Sequence, residues 1–332
     1  MPARRRDTGV LVLGGTGAVG RAVTSLLARE GVPVLAAARR APAALPTGAR
    51  FQPLDALDPA ALREHVHAAQ VVVDATGLDD RAVASAAVTA GTQLVDLSAD
   101  IAHLTTLHQL DGPVRAGQIT VIAGAGLAPG LTNLLATATH ALVPDTAGIA
   151  LNLLLGLGER HGPAATAWML DQLATSSQHP PRRVEMPAGF GRHTVRWVDF
   201  AEQHTLTRDL GIPVTSWCAL DPPLLATVTA HAARVPGLRR ALAAWAPTVA
   251  RLTRRDRWVA AARAADGTTT WATGREQSAA SAVVAAWAVH ALLERRFRPG
   301  VHDLHHVTDL HALTPWLHRH GLATATGYSH AH

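Results

Sequence analysis

The chain has 332 residues, of which 48% are hydrophobic and 17% are charged, so it is long enough for two domains and is not an intrinsically disordered protein. Its formal net charge is +5, and all 30 basic residues are arginine because the sequence contains no lysine. The arginines are spread along the chain without interleaved aromatic residues, which argues against a dedicated nucleic-acid surface.

No segment predicts export or a membrane span. Residues 1–9 carry charge but no apolar core, unlike a secretory signal. The most apolar later stretch, residues 278–293, is too short for a span, contains His290, and predicts a buried helix. The single cysteine, Cys218, cannot form an intrachain disulfide, which is typical of a reducing compartment. We therefore expect a cytoplasmic protein with no membrane or nucleic-acid partner.

Apolar strands alternate with helices over residues 9–143, which follow a disordered amino terminus at 1–8. The strands are predicted at 10–13, 32–38, 51–54, 70–76, 92–97 and 118–124. The helices are predicted at 18–30, 58–69, 79–91 and 130–143. Apolar strands separated by helices are typical of a parallel sheet covered on both faces, and right-handed crossovers make that sheet doubly wound. We predict an α/β, Rossmann-type domain here.

The pattern changes after Pro144. Strands are predicted at 146–158, 192–200 and 213–221, with a helix at 162–174 and a β-hairpin at Asp266-Gly267 within 257–274. This mixture predicts a second α+β domain, residues 144–298, built on a mostly antiparallel sheet for substrate binding and dimerisation. Residues 299–325 are expected to supply a helix that packs back on the first domain, and 326–332 a flexible tail.

A glycine-rich turn lies between the first strand and the first helix. It consists of Gly14, Gly15, Thr16, Gly17, Ala18, Val19 and Gly20. One glycine permits the tight turn, the next lets the backbone approach a pyrophosphate, and Gly20 lets the helix pack against the strand. The helix amino terminus then favours negative charge. Because the turn follows a predicted strand and opens a helix, we favour dinucleotide binding over a purely structural turn.

The end of the second strand distinguishes the two nicotinamide dinucleotides. NAD sites usually present an acid there for the ribose 2′-hydroxyl, but this chain has Arg39 and Arg40. Arginine pairs with phosphate in a fork geometry, so the sequence favours NADP(H). Two solvated arginines at a strand end are the alternative explanation.

Two further loops are expected to line the same crevice, at the carboxyl ends of neighbouring strands. Asp55 and Ala56 follow the third strand, near the expected adenine position, and the next loop contributes Ala75, Thr76 and Gly77. The small side chains of that second loop leave room for a cofactor. Asp74, directly before it, could equally cap a helix or hold a turn, so the sequence predicts no binding role for it.

Three stretches resemble the saccharopine dehydrogenase-like family of NAD(P)-binding oxidoreductases. They are VLVLGGTGAVGRAV (10–23), VVVDATGLDDRAVASAAVTAGTQLVDLSAD (71–100) and VIAGAGLAPGLTNLLA (121–136). The resemblance is strong over about residues 8–136, and GLGERHGPAA (156–165) and DFAEQHTLTRDLGIP (199–213) resemble bacterial members more loosely. It implies a Rossmann domain, an α+β substrate domain whose chain returns at the carboxyl terminus, and hydride transfer to or from a nicotinamide. The family's best-known reaction interconverts an imine and a secondary amine in amino-acid metabolism.

Residue counting removes some chemistries. The short-chain dehydrogenase mechanism needs a Tyr-x-x-x-Lys pair, but the only tyrosine is Tyr328 and there is no lysine. A lysine Schiff base is excluded for the same reason. Any proton relay must therefore use His, Asp, Glu or water.

Asp96 and Ser98 follow the fifth strand, where the nicotinamide end of the crevice is expected. They are candidates to orient substrate or water beside the ring, while helix capping by Asp96 is the alternative. The turn at Gly124–Gly126, continued by Pro129-Gly130, is expected to close over the nicotinamide, with Gly126 in contact with the cofactor. A simple hinge between domains is the other interpretation of this turn.

The second domain offers candidates for substrate binding. Arg160 follows an apolar strand and suits a substrate carboxylate, and His161 suits proton transfer. Gln203 and His204 follow an aromatic strand that contains Trp197, a possible stacking wall for the substrate. Solvated loop residues, and a core position for the tryptophan, are the alternatives.

Histidines crowd the carboxyl terminus, at His302, His305, His306, His311, His318, His320, His330 and His332. His302 and His306 would share a metal-binding face if this segment were helical. With 19 histidines in the chain and no HExxH pattern, a solvated segment is the better interpretation, and we predict no metal.

Together these features predict an NADP-dependent oxidoreductase that reduces a small imine, carbonyl or conjugated double bond of an amino-acid-like or secondary metabolite. A homodimer is expected by analogy with proteins of this architecture. Two alternatives stay open: a regulatory protein that senses NADPH without turnover, and a redox-neutral isomerase that retains its nicotinamide.

Overall fold

The computed structural model describes residues 8–78, 81–159, 162–175, 179–223, 229, 232 and 235–328. The chain forms two compact units. Unit 1 comprises Met1–Gly130 and Ser281–Val307, and unit 2 comprises Leu131–Ala280 and Thr308–His332. The chain therefore returns to unit 1 once and ends in unit 2.

Unit 1 is an α/β unit built on a seven-stranded parallel sheet. Its strands are β1 (Thr8–Leu13), β2 (Val34–Ala38), β3 (Ala49–Pro53), β4 (Ala69–Asp74), β5 (Gln93–Asp96), β6 (Thr120–Ala123) and β13 (Gly300–Asp303). Its helices between the strands are α1 (Ala18–Arg29), α2 (Pro59–Ala68), α3 (Ala82–Ala90), α4 (Ile101–Gln109) and α5 (Asp111–Ala116).

The strand order of this sheet is β13-β6-β5-β4-β1-β2-β3. Strand β1 pairs with β2 on one side and β4 on the other, so that Val12 lies beside both Ala36 and Val73. All three side chains are fully buried, which explains the unbroken apolar runs in these strands. The order of the strands reverses between β1 and β4, the place where open α/β sheets bind their ligands.

Unit 2 is built on a mixed seven-stranded sheet. Its strands are β7 (Ile149–Gly156), β8 (Arg182–Met186), β9 (Gly191–Trp197), β10 (Val214–Asp221), β11 (Arg257–Ala264), β12 (Thr268–Arg275) and β14 (Ala323–Tyr328). Its helices are α6 (Leu131–Leu142), α7 (Pro163–Thr175), α8 (Ala201–Leu210), α9 (Pro236–Thr253), α11 (Leu310–Arg319) and the start of α10 (Gln277–Leu293), which crosses into unit 1 after Ala280. The strand order is β14-β12-β11-β7-β10-β9-β8, and only the β7–β10 pair is parallel.

The β8–β9 hairpin curls back over one face of this sheet. Although β8 is four strands away from β11 in the sheet order, Arg263 of β11 donates to the Glu185 carbonyl oxygen at 3.0 Å. The guanidinium of Arg257 lies 4.4 Å from the centre of the Phe190 ring. Met186 of β8 and Val259 of β11, four strands apart in the sheet order, lie in the same buried apolar cluster. This face of the sheet is therefore covered by the sheet's own hairpin.

The structure confirms the predicted fold class, with a parallel sheet in one unit and a mostly antiparallel sheet in the other. The hairpin at Asp266-Gly267 also forms, because Gly267 adopts a φ of +94° and the Asp266 carboxylate accepts from Thr268 N at 2.9 Å. None of the described helices is both long and apolar enough to cross a bilayer.

The carboxyl-terminal segment differs from the prediction. A four-residue strand, β13, returns to the sheet of unit 1, whereas helix α11 packs on α6 and β14 within unit 2. The expected flexible tail begins inside β14, whose Thr326 pairs with Thr270. The second segment of unit 1 begins at Ser281, whereas the sequence predicted that the chain returns at residue 299. These pairings join residues far apart in the chain, so the local sequence pattern carries no sign of them.

Other elements lie where the pattern predicted none. They are helices α4, α5, α8 and α9, strand β8, and strands β13 and β14. At the amino terminus β1 already begins at Thr8, within the stretch predicted to be disordered. Short strands and helices without a clear apolar period give little signal in a single sequence.

Candidate functional site

The carboxyl ends of four neighbouring strands of unit 1, β1, β4, β5 and β6, are tied together by backbone hydrogen bonds. The bonds are Ala75 N to Leu13 O (3.1 Å), Leu97 N to Asp74 O (3.2 Å) and Ala125 N to Asp96 O (2.8 Å). The loops that follow these strands therefore begin at one edge of the sheet, on both sides of the point where the strand order reverses. This edge is the candidate site.

The glycines of the first loop are required by its packing. Gly14 has a φ of +70°, and a Cβ on it would lie 2.5 Å from the Ala75 carbonyl oxygen. A Cβ on Gly20 would lie 2.3 Å from the Gly14 carbonyl oxygen, and one on Gly15 would lie 2.9 Å from the Ala36 Cβ. Because these distances are far below any real contact, no other residue fits without a backbone shift. The turn and helix α1 thus pack so closely against the strands that there is no room for a Cβ at these three positions.

Helix α1 begins without a side chain that caps it. Its N-cap is Gly17, with extended backbone and no side-chain hydrogen bond, and its first turn contains no acidic residue. Thr16, Ala18 and Val19 are partly exposed around this helix end, and Gly17 is exposed. The first amide groups of a helix lack partners within the helix, and together with its dipole they attract phosphate. The residues of this turn therefore fit the diphosphate of a dinucleotide.

Arg39 and Arg40 directly follow β2, the strand that pairs with β1. Both side chains are exposed, and within the described part of the chain neither forms an ion pair. Two guanidinium groups are thus available at the end of the second strand, and no acid precedes them in β2.

The loops after β3 and β4 use their polar side chains to hold their own turns. Asp55 is exposed and accepts from Leu57 N at 3.1 Å, beside a partly exposed Ala56. Thr76 donates through its hydroxyl to Asp74 Oδ1 at 2.7 Å. Gly77 follows with a φ of +65°. Ala75 and Thr76 are partly buried and Gly77 is exposed, so a ligand at this edge would meet small groups here.

A buried acidic pair with a histidine lies beneath this edge, and the sequence analysis missed it as a cluster. Asp74 and Asp96 are register neighbours on β4 and β5, and Asp96 Oδ2 lies 2.9 Å from His103 Nε2. Burial raises the pKa of Asp74 to about 6, with a further rise from the neighbouring Asp96 carboxylate. The signal was present, since VVVD and LVD each end a parallel strand with an aspartate. His103, on α4, gave none.

Asp96 does not cap the following helix, which was the alternative explanation for it. The cap of α4 is Asp100, whose carboxylate accepts from His103 N at 2.9 Å. Asp96 instead accepts from Ser98 N at 3.0 Å and pairs with the His103 ring. Ser98 is partly exposed, and its Oγ accepts from Asp100 N at 3.2 Å, which leaves its hydroxyl proton able to donate to a ligand.

The turn after β6 is closed by its glycines. Gly126 N donates to the Pro129 carbonyl oxygen at 2.9 Å. Gly130 has a φ of +122°, and a Cβ on it would lie 2.3 Å from the Gly126 carbonyl oxygen. Gly124 has a φ of +61°, and a Cβ there would lie 2.7 Å from Pro129 Cγ. The turn is therefore a compact backbone wall at the same edge.

Comparison with known proteins shows which domain this edge is similar to. Residues 10–122 match the model of the saccharopine dehydrogenase NADP binding domain, which covers the glycine turn and β1 to β6. Over these residues the chain is similar to the saccharopine dehydrogenase family. The match supports NAD(P) binding and an oxidoreductase.

The fold of the chain is similar to that of solved structures. Apo histidine-tagged saccharopine dehydrogenase (L-Glu forming) from Saccharomyces cerevisiae is 14% identical with a TM-score of 0.61, covering 96% of this chain and 100% of that one. Serine dehydrogenase from Escherichia coli is 17% identical with a TM-score of 0.29, covering 35% of this chain and 80% of that one. A Rossmann-fold NAD(P)-binding family protein from Shigella flexneri is 21% identical with a TM-score of 0.26, covering 35% and 66%. At 14% identity the first comparison shows a shared fold only. No curated protein sequence matches the chain.

The substrate candidates predicted from the sequence lie in unit 2. Arg160 and His161 fall outside the described residues. Gln203 is buried, donates to Asp199 Oδ1 at 2.6 Å and accepts from Ser216 N at 3.1 Å. His204 is half-exposed, with its Nε2 2.5 Å from the same Asp199 oxygen. These bonds orient α8 on the sheet.

Trp197 lies within the core side of the β9–β10 pair. It is directly opposite Trp217 in the register and packs against the buried cluster of that sheet face. The His179 ring lies 4.7 Å from it. These contacts support the core interpretation of this tryptophan.

The carboxyl-terminal histidines His302 and His306 do not form the helical face considered for a metal. His302 lies in β13, with its Nε2 3.0 Å from the Arg298 carbonyl oxygen, while His306 ends a 3₁₀ turn. A strand and a turn do not repeat with the spacing of an α-helix, so the two rings do not share an i, i+4 face.

Proposed function

We propose that this chain is an NADP-dependent oxidoreductase that reduces a small imine, carbonyl or conjugated double bond of an amino-acid-like or secondary metabolite. One observation supports it above the others: the uncapped start of α1 lies next to β2, which is followed by Arg39 and Arg40. Neither arginine forms an ion pair with any residue that the structure describes. The first feature fits a diphosphate and the second fits a further phosphate.

The preference for NADP over NAD depends on Arg39 and Arg40. A 2′-phosphate gains charge-assisted hydrogen bonds from a guanidinium, whereas a 2′-hydroxyl is usually held by a carboxylate. β2 ends in three alanines before these arginines, so a carboxylate is missing from the usual place. The charge at this strand end therefore matches the phosphorylated coenzyme.

The remaining residues of the edge have roles in holding the cofactor and managing protons. The backbone of Gly14 to Gly20 would hold the diphosphate, with Asp55, Ala56, Ala75, Thr76, Gly77 and Gly126 around the rest of the dinucleotide. Reduced NADP, when bound, supplies a hydride. Ser98 is the partly exposed hydroxyl donor proposed for this edge, and Asp96 orients its backbone while paired with His103. Burial raises the pKa of Asp74, beneath them, to about 6, so this carboxyl takes up and releases a proton just below neutral pH.

Substrate selection belongs to unit 2 in this proposal. Arg160 would pair with a substrate carboxylate and His161 would carry a proton. Gln203, His204 and Trp197 are weaker candidates, because their described contacts are with the protein itself. The cytoplasmic location and a homodimer stay predictions from the sequence.

Calorimetric titration of the purified chain with NADPH and NADH tests the cofactor half of the proposal. We expect tighter binding of NADPH, and we expect the double variant Arg39→Gln/Arg40→Gln to lose about tenfold to hundredfold of NADPH affinity while NADH affinity stays unchanged. Arg63→Gln, which removes an exposed arginine from α2, is the matched control. A preference for NADH would overturn the choice of coenzyme, and no binding of either would overturn the site.

Turnover is tested by following the near-ultraviolet absorbance of NADPH with a panel of keto acids, each alone and with an amine. Loss of absorbance with a Ser98→Ala-sensitive rate supports the oxidoreductase. Tight NADPH binding without oxidation across the panel would instead support a sensor protein. Product formed without net NADPH consumption would support an isomerase.

A further inference from the structure

Three metal-ligating side chains of unit 1 come together where β13 ends, at Asp303, His305 and His306. One carboxylate oxygen of Asp303 and one ring nitrogen of each histidine lie within 4.8 Å of one another. The two imidazole rings lie 4.2 Å apart between their centres. Successive residues of a 3₁₀ turn project about 120° apart around its axis, so adjacent side chains usually diverge. The two rings of this turn instead converge with the carboxylate.

The backbone that carries these ligands is fixed on both sides. Asp303 is the last residue of β13 and pairs with Ala123 of β6. Leu304, between Asp303 and His305, is buried, and Val307 N donates to its carbonyl oxygen at 3.1 Å. A strand end and a closed turn therefore present the ligands, so that little backbone entropy is lost when an ion binds.

A further histidine orients the carboxylate. His108 of α4 has its Nε2 3.1 Å from Asp303 Oδ1, and the Asp303 side chain is only 5% exposed. Carboxylates that bind metal ions are usually hydrogen-bonded by an outer group that fixes their direction. Asp303 can keep this contact through Oδ1 and bind an ion through Oδ2.

The ligand types select the class of ion. Two imidazoles and one carboxylate suit Zn²⁺ and similar transition-metal ions, whereas Mg²⁺ and Ca²⁺ prefer oxygen ligands alone. The ligands of a tetrahedral Zn²⁺ lie about 3.3 Å apart, so each pair has to close by about 1.5 Å or less. His305 is partly exposed and His306 is exposed, so an ion can reach the buried carboxylate from solvent.

The cluster lies at the same edge of the sheet as the candidate cofactor site. β13 lies beside β6, and β6 lies beside β5. Two strand spacings, about 10 Å, therefore separate Asp303 from Asp96 at the ends of β13 and β5. Helix α4 contacts both aspartates, since its His103 pairs with Asp96 and its His108 with Asp303. One helix thus orients the carboxylates of two neighbouring sites.

We propose that Asp303, His305 and His306 bind a divalent transition-metal ion of the Zn²⁺ class, with His108 as the positioning residue of the carboxylate. Three protein ligands leave a fourth position of a tetrahedral ion for water or for an oxygen of a small ligand. The sequence prediction of no metal considered a helical pairing of His302 with His306, whereas the structure brings His305 and Asp303 to His306. Binding of the ion does not require NADPH, so this proposal and the proposed function can fail separately.

Titration of the purified, untagged chain with Zn²⁺ after treatment with EDTA and dialysis tests the site. We expect one tightly bound Zn²⁺ per chain. His305→Gln/His306→Gln is expected to lose a hundredfold or more of this affinity, and His108→Ala about tenfold to hundredfold, with partial recovery in His108→Gln, which keeps a donor. His65→Gln/His67→Gln on α2 removes two imidazoles elsewhere in unit 1 and should leave the affinity unchanged.

A cysteine at position 306 tests the position of the ion directly. In the reduced, Co²⁺-loaded protein, His306→Cys should add the intense near-ultraviolet band of a thiolate bound to cobalt. His67→Cys, at another exposed position, should add none, and the buried Cys218 is common to both variants. Because His306 is exposed, circular dichroism melts of this variant and of His306→Gln should match the wild type.

The other outcomes would overturn the proposal. Absence of tight binding, or tight binding that survives His305→Gln/His306→Gln, would exclude these histidines as ligands. A loss of equal size in His65→Gln/His67→Gln would show that the ion binds adventitiously to the many histidines of the chain. A missing thiolate band in His306→Cys would remove His306 from the ligand set. Unchanged affinity in His108→Ala would overturn its positioning role.

Discussion

The loop edge of unit 1 and the α8 region of unit 2 show two different ways in which a sequence determines a site. At the edge of unit 1 the backbone carries the geometry, because Gly14, Gly15 and Gly20 stand where a Cβ would overlap neighbouring atoms. In the α8 region side chains carry it, since Gln203 joins Asp199 to the backbone of Ser216. A backbone that leaves no room for a Cβ requires glycine, which can be recognised in the sequence. A glutamine such as Gln203 can form many kinds of contact, so its role cannot be predicted from its residue type.

This difference explains why Gln203 and His204 look like substrate ligands in the sequence but have protein partners in the structure. Polar residues that follow an aromatic strand are equally suited to binding a ligand and to fixing a helix on a sheet. Both side chains meet Asp199, four and five residues away. The geometry of these contacts supports the fixing role for them, and the Asp96–Ser98 loop is left as the better candidate for chemistry.

The largest expected effect comes from Gly20→Ala. The added Cβ would lie 2.3 Å from the Gly14 carbonyl oxygen, so α1 must move away from the turn. We expect a loss of about 3 kcal/mol or more in the free energy of unfolding, and a weakening of NADPH binding by about a hundredfold. Urea denaturation and calorimetric titration measure the two effects.

Gly112→Ala is the control for that change. Gly112 lies in α5, and a Cβ on it would meet nothing within 4 Å. An added methyl group in a helix is neutral or stabilising by up to about 1 kcal/mol. If Gly20→Ala behaved like Gly112→Ala, the glycine turn would not be fixed by its packing, and the contrast between the two regions would fail.

The second effect concerns a buried acid of unit 2. Burial raises the pKa of Glu202 from 4.5 to about 7, and its Oε2 has no hydrogen-bond partner among the described residues. The folded state thus binds this proton more tightly than the unfolded state. The contribution of Glu202 to stability is therefore greatest below about pH 4.5 and is lost as the pH rises from about 4.5 to about 7. Glu202→Gln removes that loss, and at higher pH we expect the variant to be more stable by on the order of 3 kcal/mol.

Denaturant midpoints across this pH range measure the difference between wild type and Glu202→Gln. Glu64→Gln, at an exposed position on α2, is the matched change and should follow the wild-type curve. Parallel curves for wild type and Glu202→Gln would mean that Glu202 titrates normally. The side chain of Glu202 in unit 2 would then be held less rigidly than the glycine backbone at the edge of unit 1.

Sequence reasoning predicted most of unit 1 because its signals are local. Gly14 to Gly20 follow an apolar strand, and Asp58-Pro59 is a typical N-cap and first residue of a helix, here α2. The Asp266-Gly267 hairpin of unit 2 was predictable for the same reason. Each of these features is determined by residues within one turn of backbone.

The features that sequence reasoning missed depend on pairs of distant residues. Arg263 reaches the backbone of Glu185 from 78 residues away, which curls the β8–β9 hairpin over its sheet. β13 pairs with β6, although residues 131–280 of unit 2 separate the two strands along the chain. The four residues of β13 alone resemble a loop or a helix. His103 became part of the edge only because α4 places it against Asp96. No periodicity or motif encodes these contacts.

A smaller effect tests a long-range pair inside unit 2. The buried Thr139 hydroxyl of α6 donates to the Ala262 carbonyl oxygen at 3.1 Å and lies 2.6 Å from the Thr270 hydroxyl. Thr139→Val keeps the shape but leaves a buried carbonyl without this partner, at an expected cost of about 1–2 kcal/mol in the free energy of unfolding. Thr137→Val, on the same helix, loses only a bond to Leu134 within that helix and should cost less. Equal costs, measured by urea denaturation, would mean that the contact to the sheet adds nothing.

The smallest effect belongs to a feature that the sequence announces clearly. The Asp58 carboxylate caps α2 by accepting from Ala60 N at 2.9 Å and Ala61 N at 3.3 Å. Asp58→Ala leaves these amide groups to water and should cost about 1 kcal/mol in thermal or urea unfolding, whereas Glu64→Ala at an exposed position of the same helix should cost almost nothing. A loss above that of Thr139→Val would reverse the expected order. Because Asp58 is exposed, water can replace the lost carboxylate, which it cannot do at Thr139, so a readily predicted contact contributes less than one hidden from the sequence.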